Sequence, residues 1–266
     1  MMNQASAEQG TENPVAKTRQ TAPGASSALG RSRVQKSGDE IVPIHNWIYH
    51  VMFNAYGMFY QLGGLKIHGR ENVPLEGPLI VAPNHASLFD PPLVGYAMPR
   101  MVTTMGKAEL FEKKTCGLKI LGYVIQRMGT FPVRRGTPDR RALRRAIHVL
   151  KEGGALVIFP EGTRTRTGEL GPAEPGLGLI AHATRAPVLP VYLKGTEAGF
   201  SYLHPKPSLI HPEVYFGKPL TFEPEYERRA DRATLEAIGA RVMQEIARLR
   251  DGAGSEEAAT EAIQVG

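Results

Sequence analysis

His85 and Asp90 are the residues of this chain best placed to do chemistry. A neutral imidazole is the commonest side-chain base near neutral pH, and a carboxylate on its other nitrogen fixes the tautomer and stabilises the imidazolium. Both lie in Asn84-His85-Ala86-Ser87-Leu88-Phe89-Asp90. A spacing of five does not fall on one helical face, so the segment must curl as a loop into a helix start. Pro91-Pro92 favours that start, and Asn84 and Ser87 can hold the loop through side-chain-to-backbone bonds. A second cluster, Phe159-Pro160-Glu161-Gly162-Thr163-Arg164, can turn sharply, expose amides and present a guanidinium that forks onto a phosphate. A base in one cluster and an anion cradle in the other suit acyl transfer onto an anionic acceptor. Each cluster also has a plainer reading: a polar capping loop, and a tight turn with a solvated arginine.

No protein nucleophile accompanies the pair. The single cysteine, Cys116, has no linked base in its segment, and the Gly-x-Ser-x-Gly elbow of serine hydrolases is absent. Direct attack by an activated acceptor hydroxyl is the simpler chemistry. Metal chemistry has little support, because the eight histidines are scattered and form no His-Glu-x-x-His pair. Gly129-Thr130-Phe131-Pro132-Val133-Arg134-Arg135 adds two cations beside an apolar edge, whereas Arg140, Arg141, Arg144 and Arg145 read as a solvated helix face.

Both clusters follow apolar runs that read as strands, Leu79–Ala82 and Leu156–Phe159, which places one site at the edge of a sheet. Further strands are expected at Leu65–His68, Met101–Met105, Val188–Leu193 and Glu213–Phe216. Helical signals alternate with them, so the expected class is α/β, a single domain over about residues 65–250 with a largely parallel or mixed sheet flanked by helices. One helix should follow Gly136, with Thr137 as N-cap and Pro138 at its first position. A second should run from about Arg232 to Leu249. Residues 1–40, rich in Ala, Ser, Gly, Gln and Thr, read as a disordered tail, and residues 251–266 as a loose acidic one.

Ile41–Leu65 contains no Asp, Glu, Lys or Arg, yet polar residues and three glycines interrupt it. Its Trp and Tyr residues suit the headgroup level of a bilayer, so residues 41–64 are expected to form a helix or helical pair in the membrane interface. An ordinary helix packed on its own domain fits equally, and a full span fits less well. The chain has 266 residues, 42% of them hydrophobic and 22% charged, which is ordinary for a globular protein. A formal charge of +6 favours anionic partners. One cysteine rules out an internal disulfide, and no basic segment followed by an apolar run marks a cleaved secretory signal.

Four ordered blocks carry a resemblance: Asn-His-x-Ser-x-x-Asp, Gly-x-Phe-Pro-Val-x-Arg, Phe-Pro-Glu-Gly-Thr-Arg and Val-x-Pro-Val. Over about residues 65–200 the chain resembles the glycerolipid acyltransferase superfamily, and within it the bacterial 1-acylglycerol-3-phosphate acyltransferase family. The resemblance implies that His85 deprotonates the sn-2 hydroxyl of lysophosphatidic acid and that Asp90 orients it. It also implies that Glu161, Gly162, Thr163 and Arg164 hold the glycerol phosphate, helped by Arg135 and Lys107. Val188–Val191 would line the acyl-chain side. The donor would be acyl-CoA or acyl-carrier protein, with no cofactor and no metal. The membrane motif that precedes such domains strengthens the interfacial reading, which implies peripheral or monotopic attachment to the cytoplasmic face of the cell membrane. Two positions depart from the pattern. Glu174 stands where relatives often carry lysine, and Arg134 where they often carry aspartate. Another lysolipid or an amino-acid-derived lipid is the alternative acceptor. A non-catalytic basic lipid-binding protein is the rival from a different class. Nucleic acid is not expected, because aromatics and arginines do not interleave and no recognition motif occurs.

Overall fold

A strand buried on both faces needs a continuous apolar run, and Leu79, Ile80, Val81 and Ala82 supply one. All four are fully buried in β2 (Leu79–Pro83), the centre of a seven-stranded sheet. The computed structural model describes residues 46–111, 116–134, 136, 139–206 and 208–264. The other strands are β1 (Lys66–His68), β3 (Val102–Lys107), β4 (Thr130–Val133), β5 (Ala155–Val157), β6 (Val188–Lys194) and β7 (Glu213–Phe216). Their order is β1-β7-β6-β2-β5-β3-β4. Every neighbouring pair is parallel except β6 and β7, so the sheet is mixed.

Successive side chains of a strand point to opposite faces, and two cores follow from that alternation. Ile80, Ala82, Leu156 and Val188 pack against α4 (Arg140–Lys151), α5 (Pro175–Thr184) and α7 (Arg232–Gln264) through Ala146, Leu150, Leu177, Ile180, Ile238 and Val242. Leu79, Val81, Val157, Leu189 and Val191 pack the other way, against Tyr60 of α1 (Asn46–Leu62) and Leu93, Val94 and Ala97 of α2 (Asp90–Ala97). Met128 and Val124 join Tyr49 and Phe53 there, so α3 (Cys116–Arg127) lies in the same layer as α1 and α2. The short α6 (Glu223–Tyr226) completes the set.

The region expected to form a helix or helical pair is a single described helix, α1. Its buried stripe, Tyr49, Phe53, Gly57 and Tyr60, faces α2. Two glycines permit that approach: a Cβ on Gly57 would lie 2.1 Å from the Tyr96 ring, and one on Gly95 would lie 2.1 Å from the Phe53 ring. The packed-helix reading therefore holds for one face. The other face exposes Trp47, Val51, Tyr56, Met58 and Leu62. No described helix is long and apolar enough to cross a membrane.

Three further expectations change. β4 was not expected as a strand, because only four residues pair and Pro132 sits within them at the sheet edge. The cap of α4 is Asp139, whose carboxylate accepts from the amides of Arg141 and Ala142. The expected cap residues Thr137 and Pro138 lie outside the described residues, as does the expected tail 1–40. Finally, the stretch after Asp251 is no loose tail up to Gln264, since α7 continues through it and buries Ala253.

Candidate active site

The site is built at the C-terminal edge of the parallel strands, where β2 and β5 run side by side. As β2 ends, the Asn84 side chain takes over the ladder. Its Nδ2 donates to Leu193 O at 3.1 Å, and its Oδ1 accepts from Leu193 N at 2.7 Å. The chain then curls as the spacing required, and Asp90 opens α2 with two prolines behind it.

His85 Nδ1 and Asp90 Oδ2 are 2.8 Å apart. The same oxygen accepts from the amides of Ala86 and Ser87, each at 2.7 Å. An oxygen already receiving two N–H groups acts as an acceptor, so Nδ1 donates to it, and in the neutral imidazole the lone pair then lies on Nε2. Asp90 is fully buried and His85 is nearly so. The imidazole stacks on Phe159, with centroids 4.0 Å apart. Beneath the pair, the Tyr60 hydroxyl donates to Phe89 O at 2.9 Å. Burial first and the Asp90 charge second push that phenol above its ordinary value, so it stays protonated.

The second cluster grips the first through backbone groups. Glu161 Oε1 accepts from His85 N at 3.0 Å, and Oε2 accepts from Gly171 N at 3.0 Å. Thr165 N donates to His85 O at 2.8 Å. Burial pushes the Glu161 carboxyl up, and the two amides pull it back only in part. With both oxygens occupied inside the protein, Glu161 serves the loop. Gly162 turns the chain at φ +67, a left-handed conformation, with Glu174 packed against it. Thr163 is exposed and Arg164 half-buried. Arg164 Nη1 donates to Phe200 O at 2.9 Å.

Lys107 ends β3, next to β5 at the same sheet edge, where its ammonium pairs with Glu109 at 3.2 Å. Arg135 lies outside the described residues, and Arg134 is exposed, its amide held by Asp139. Val188–Val191 form the buried first half of β6, the plain core strand that their composition suggested. Sequence reasoning missed an apolar groove beside the pair. Tyr56, Phe59, Phe89, Phe200, Ser208 and Leu209 line it, around about 480 Å³. Phe89 is next to Asp90, and the aromatic excess of Ile41–Leu65 was its one sequence signal. Among the described residues no group of three His, Cys, Asp or Glu side chains could hold a metal ion.

Comparison with known proteins places the chain in a family. The Acyltransferase family model matches residues 64–194. A 1-acyl-sn-glycerol-3-phosphate acyltransferase of Bacillus subtilis is 31% identical over 198 residues, covering 73% of this chain and 95% of that protein. The chain belongs to the acyltransferase family. A 1-acyl-sn-glycerol-3-phosphate acyltransferase of Streptococcus pneumoniae is 29% identical over 70% of this chain and 66% of its own length. The crystal structure of the 1-acyl-sn-glycerophosphate acyltransferase of Thermotoga maritima superposes with a TM-score of 0.57 at 24% identity, over 76% of this chain and 80% of that one. That likeness shows the fold of this acyltransferase.

Proposed function

We propose that this acyltransferase moves a fatty acyl group from a thioester, acyl-CoA or acyl-carrier protein, to the sn-2 hydroxyl of lysophosphatidic acid, giving phosphatidic acid. The observation that carries the reading is the buried His85–Asp90 pair at 2.8 Å, joined through one loop to the Arg164 guanidinium. His85 Nε2 takes the hydroxyl proton as the oxygen attacks the thioester carbonyl. The tetrahedral intermediate collapses, the C–S bond breaks, and the imidazolium returns its proton to the departing sulfur. Asp90 stabilises the cation in between. Glu161 keeps His85 in register, and Arg164 binds the acceptor's phosphate. The groove of Tyr56, Phe59, Phe89 and Phe200 seats an acyl chain. The substrate in the names of the Bacillus and Streptococcus relatives supports the acceptor, and the exposed apolar face of α1 supports work on a membrane surface.

Purified full-length protein should acylate lysophosphatidic acid faster than lysophosphatidylcholine, whose phosphate carries a choline. Arg164→Ala should raise KM for lysophosphatidic acid by about tenfold or more, the scale of a lost charge-assisted hydrogen bond, with little change for the thioester. Arg164→Lys should restore only part of it. Equal rates on both lysolipids, with an unchanged acceptor KM in Arg164→Ala, would reject the acceptor assignment.

A further inference from the structure

Arg164 is held from two sides by a segment that lies outside the four sequence blocks. Its Nη1 donates to Phe200 O at 2.9 Å, and its guanidinium carbon lies 4.5 Å from the centroid of the Tyr202 ring. The guanidinium of Arg166 lies 5.5 Å from the same ring. One aromatic platform thus serves two cations on the loop that follows β5. Phe200 O also accepts from Leu88 N at 3.2 Å, so a single carbonyl joins the His85 loop to the Arg164 side chain. The Ser87 hydroxyl donates to Gly199 O nearby.

The segment is built to hold this shape. Phe200 adopts φ +48, a left-handed conformation that costs an aromatic residue energy and persists only where the surroundings enforce it. Phe200 N donates to Lys206 O at 3.2 Å, Ser201 N to His204 O at 3.0 Å, and the Ser201 hydroxyl to Glu197 O at 2.6 Å. The Phe200 ring packs edge-on to Phe89, with centroids 5.2 Å apart. Tyr202, by contrast, is about half exposed (48%), and both guanidiniums lie within 5.5 Å of its ring centroid.

We propose that Tyr202 is a positioning residue for the acceptor: its ring aligns the Arg164 and Arg166 guanidiniums as a two-cation seat for the phosphate. This rests on the reading of Arg164 under the proposed function. An arginine carries large rotamer freedom, and a planar fork held before the ligand arrives loses less on binding. Phe200 O takes one N–H of Arg164 and the Tyr202 ring lies against the guanidinium, and no other hydrogen bond holds that guanidinium among the described residues, which leaves donors for a dianion. A phosphate of charge near −2 suits two cations better than one.

The test is steady-state kinetics of the full chain with lysophosphatidic acid and whichever acyl thioester the wild type accepts. Tyr202→Ala should raise KM for lysophosphatidic acid about three- to tenfold, the scale of one or two cation–π contacts, with kcat within about twofold and the thioester KM unchanged. Tyr202→Phe keeps the ring and should match the wild type. Tyr202→Leu keeps bulk without a ring and should behave as Tyr202→Ala. In an Arg164→Ala/Arg166→Ala background, removing the ring should change the acceptor KM less than about twofold. An unchanged acceptor KM in Tyr202→Ala, the same rise in the arginine-free background, or a Tyr202→Phe enzyme as weak as Tyr202→Ala would each overturn the proposal. Loss of folding in both Tyr202→Ala and Tyr202→Leu would make the role structural and overturn it too. If Arg164→Ala alone leaves the acceptor KM unchanged, the phosphate assignment itself fails. If Arg164→Ala raises it and Tyr202 is silent, only this inference fails.

Discussion

Three donors converge on Asp90 Oδ2: His85 Nδ1 and the amides of Ala86 and Ser87. The carboxylate therefore does two jobs, shaping the loop and supplying charge to the imidazole, and substitution can separate them. An asparagine can keep its carbonyl oxygen at the junction, so the loop keeps its acceptor while the charge is lost and an amide NH2 replaces the buried Oδ1, which has no hydrogen-bond partner among the described residues. Asp90→Asn should thus depress kcat by about 10²-fold or more while costing only about 1–3 kcal/mol of stability, as read by kinetics and thermal denaturation. His85→Ala removes the base and should lower kcat by about 10²–10⁴. It also opens space beside Phe159, whose ring stacks on the imidazole. Near-normal turnover in a folded His85→Ala protein would rule out His85 as the base. Glu161→Gln should be milder than Glu161→Ala in kcat, because the glutamine keeps an acceptor for His85 N while the alanine releases that amide.

At the level of elements, α4 shows where a sequence signal can mislead by two residues. Thr137-Pro138 is a good helix start, yet Asp139 caps the helix, because its carboxylate reaches three amides, those of Arg141, Ala142 and Arg134. Burial alone would raise that carboxyl. The amides of Ala142, Arg134 and Arg141 and the charge of Arg134 outweigh burial, so the folded value lies below the ordinary 3.8. Ionised Asp139 therefore contributes stability that is fully present above pH 3.8 and is lost as pH falls through the folded value. Asp139→Ala should cost about 1 kcal/mol at neutral pH, or about 2–4 °C in Tm, and Asp139→Asn much less. The advantage of the wild type over Asp139→Asn should vanish in acid unfolding series. The buried strands β2, β5 and β6 were legible because a strand covered on both faces must be apolar throughout. β4 was not, since four edge residues with a proline carry almost no periodic signal. His85, Asp90 and the Gly162 turn were legible because chemistry demands their types at short spacing. The groove and the Tyr202 segment were not, because they arise where residues from α1, the β2–α2 loop and the chain after β6 meet, and no local pattern records such a meeting.

Taken whole, the described molecule has a greasy flank. α1 spends one stripe on its own domain, and the other presents Trp47, Val51, Met58 and Leu62 to solvent. Tyr56 belongs both to that exposed face and to the groove wall, so the apolar surface runs from the outside of α1 toward the His85 loop. Such a patch marks an interaction surface, and a lipid interface fits its aromatic and aliphatic content. Replacing Trp47, Met58 and Leu62 together with serine should reduce sedimentation with anionic vesicles by about tenfold or more, since each buried side chain is worth roughly 1.5–3 kcal/mol. Because all three are exposed, Tm should hardly move. Gly95→Ala should do the reverse, lowering Tm by forcing α1 off α2 through the Phe53 ring. Unchanged vesicle binding in the triple variant would move the dock elsewhere. Deleting the whole helix would be a poorer experiment, because it also strips Tyr49, Phe53 and Tyr60 from the interior.

The bonds that shape the His85 loop come from far along the chain. Glu161 is 76 residues away, Leu193 is 109 from Asn84, and Gly199 is 112 from Ser87. On a ribosome the chain emerges from its N-terminus, so His85 leaves the tunnel long before its supports. At roughly 5–20 residues per second, the last of them follows about 6–22 s later. Through that interval the nascent chain has α1, with its exposed apolar face, and its histidine but no assembled site. It stays chemically silent through that interval, and it acquires its activity only when nearly all of its strands are in place.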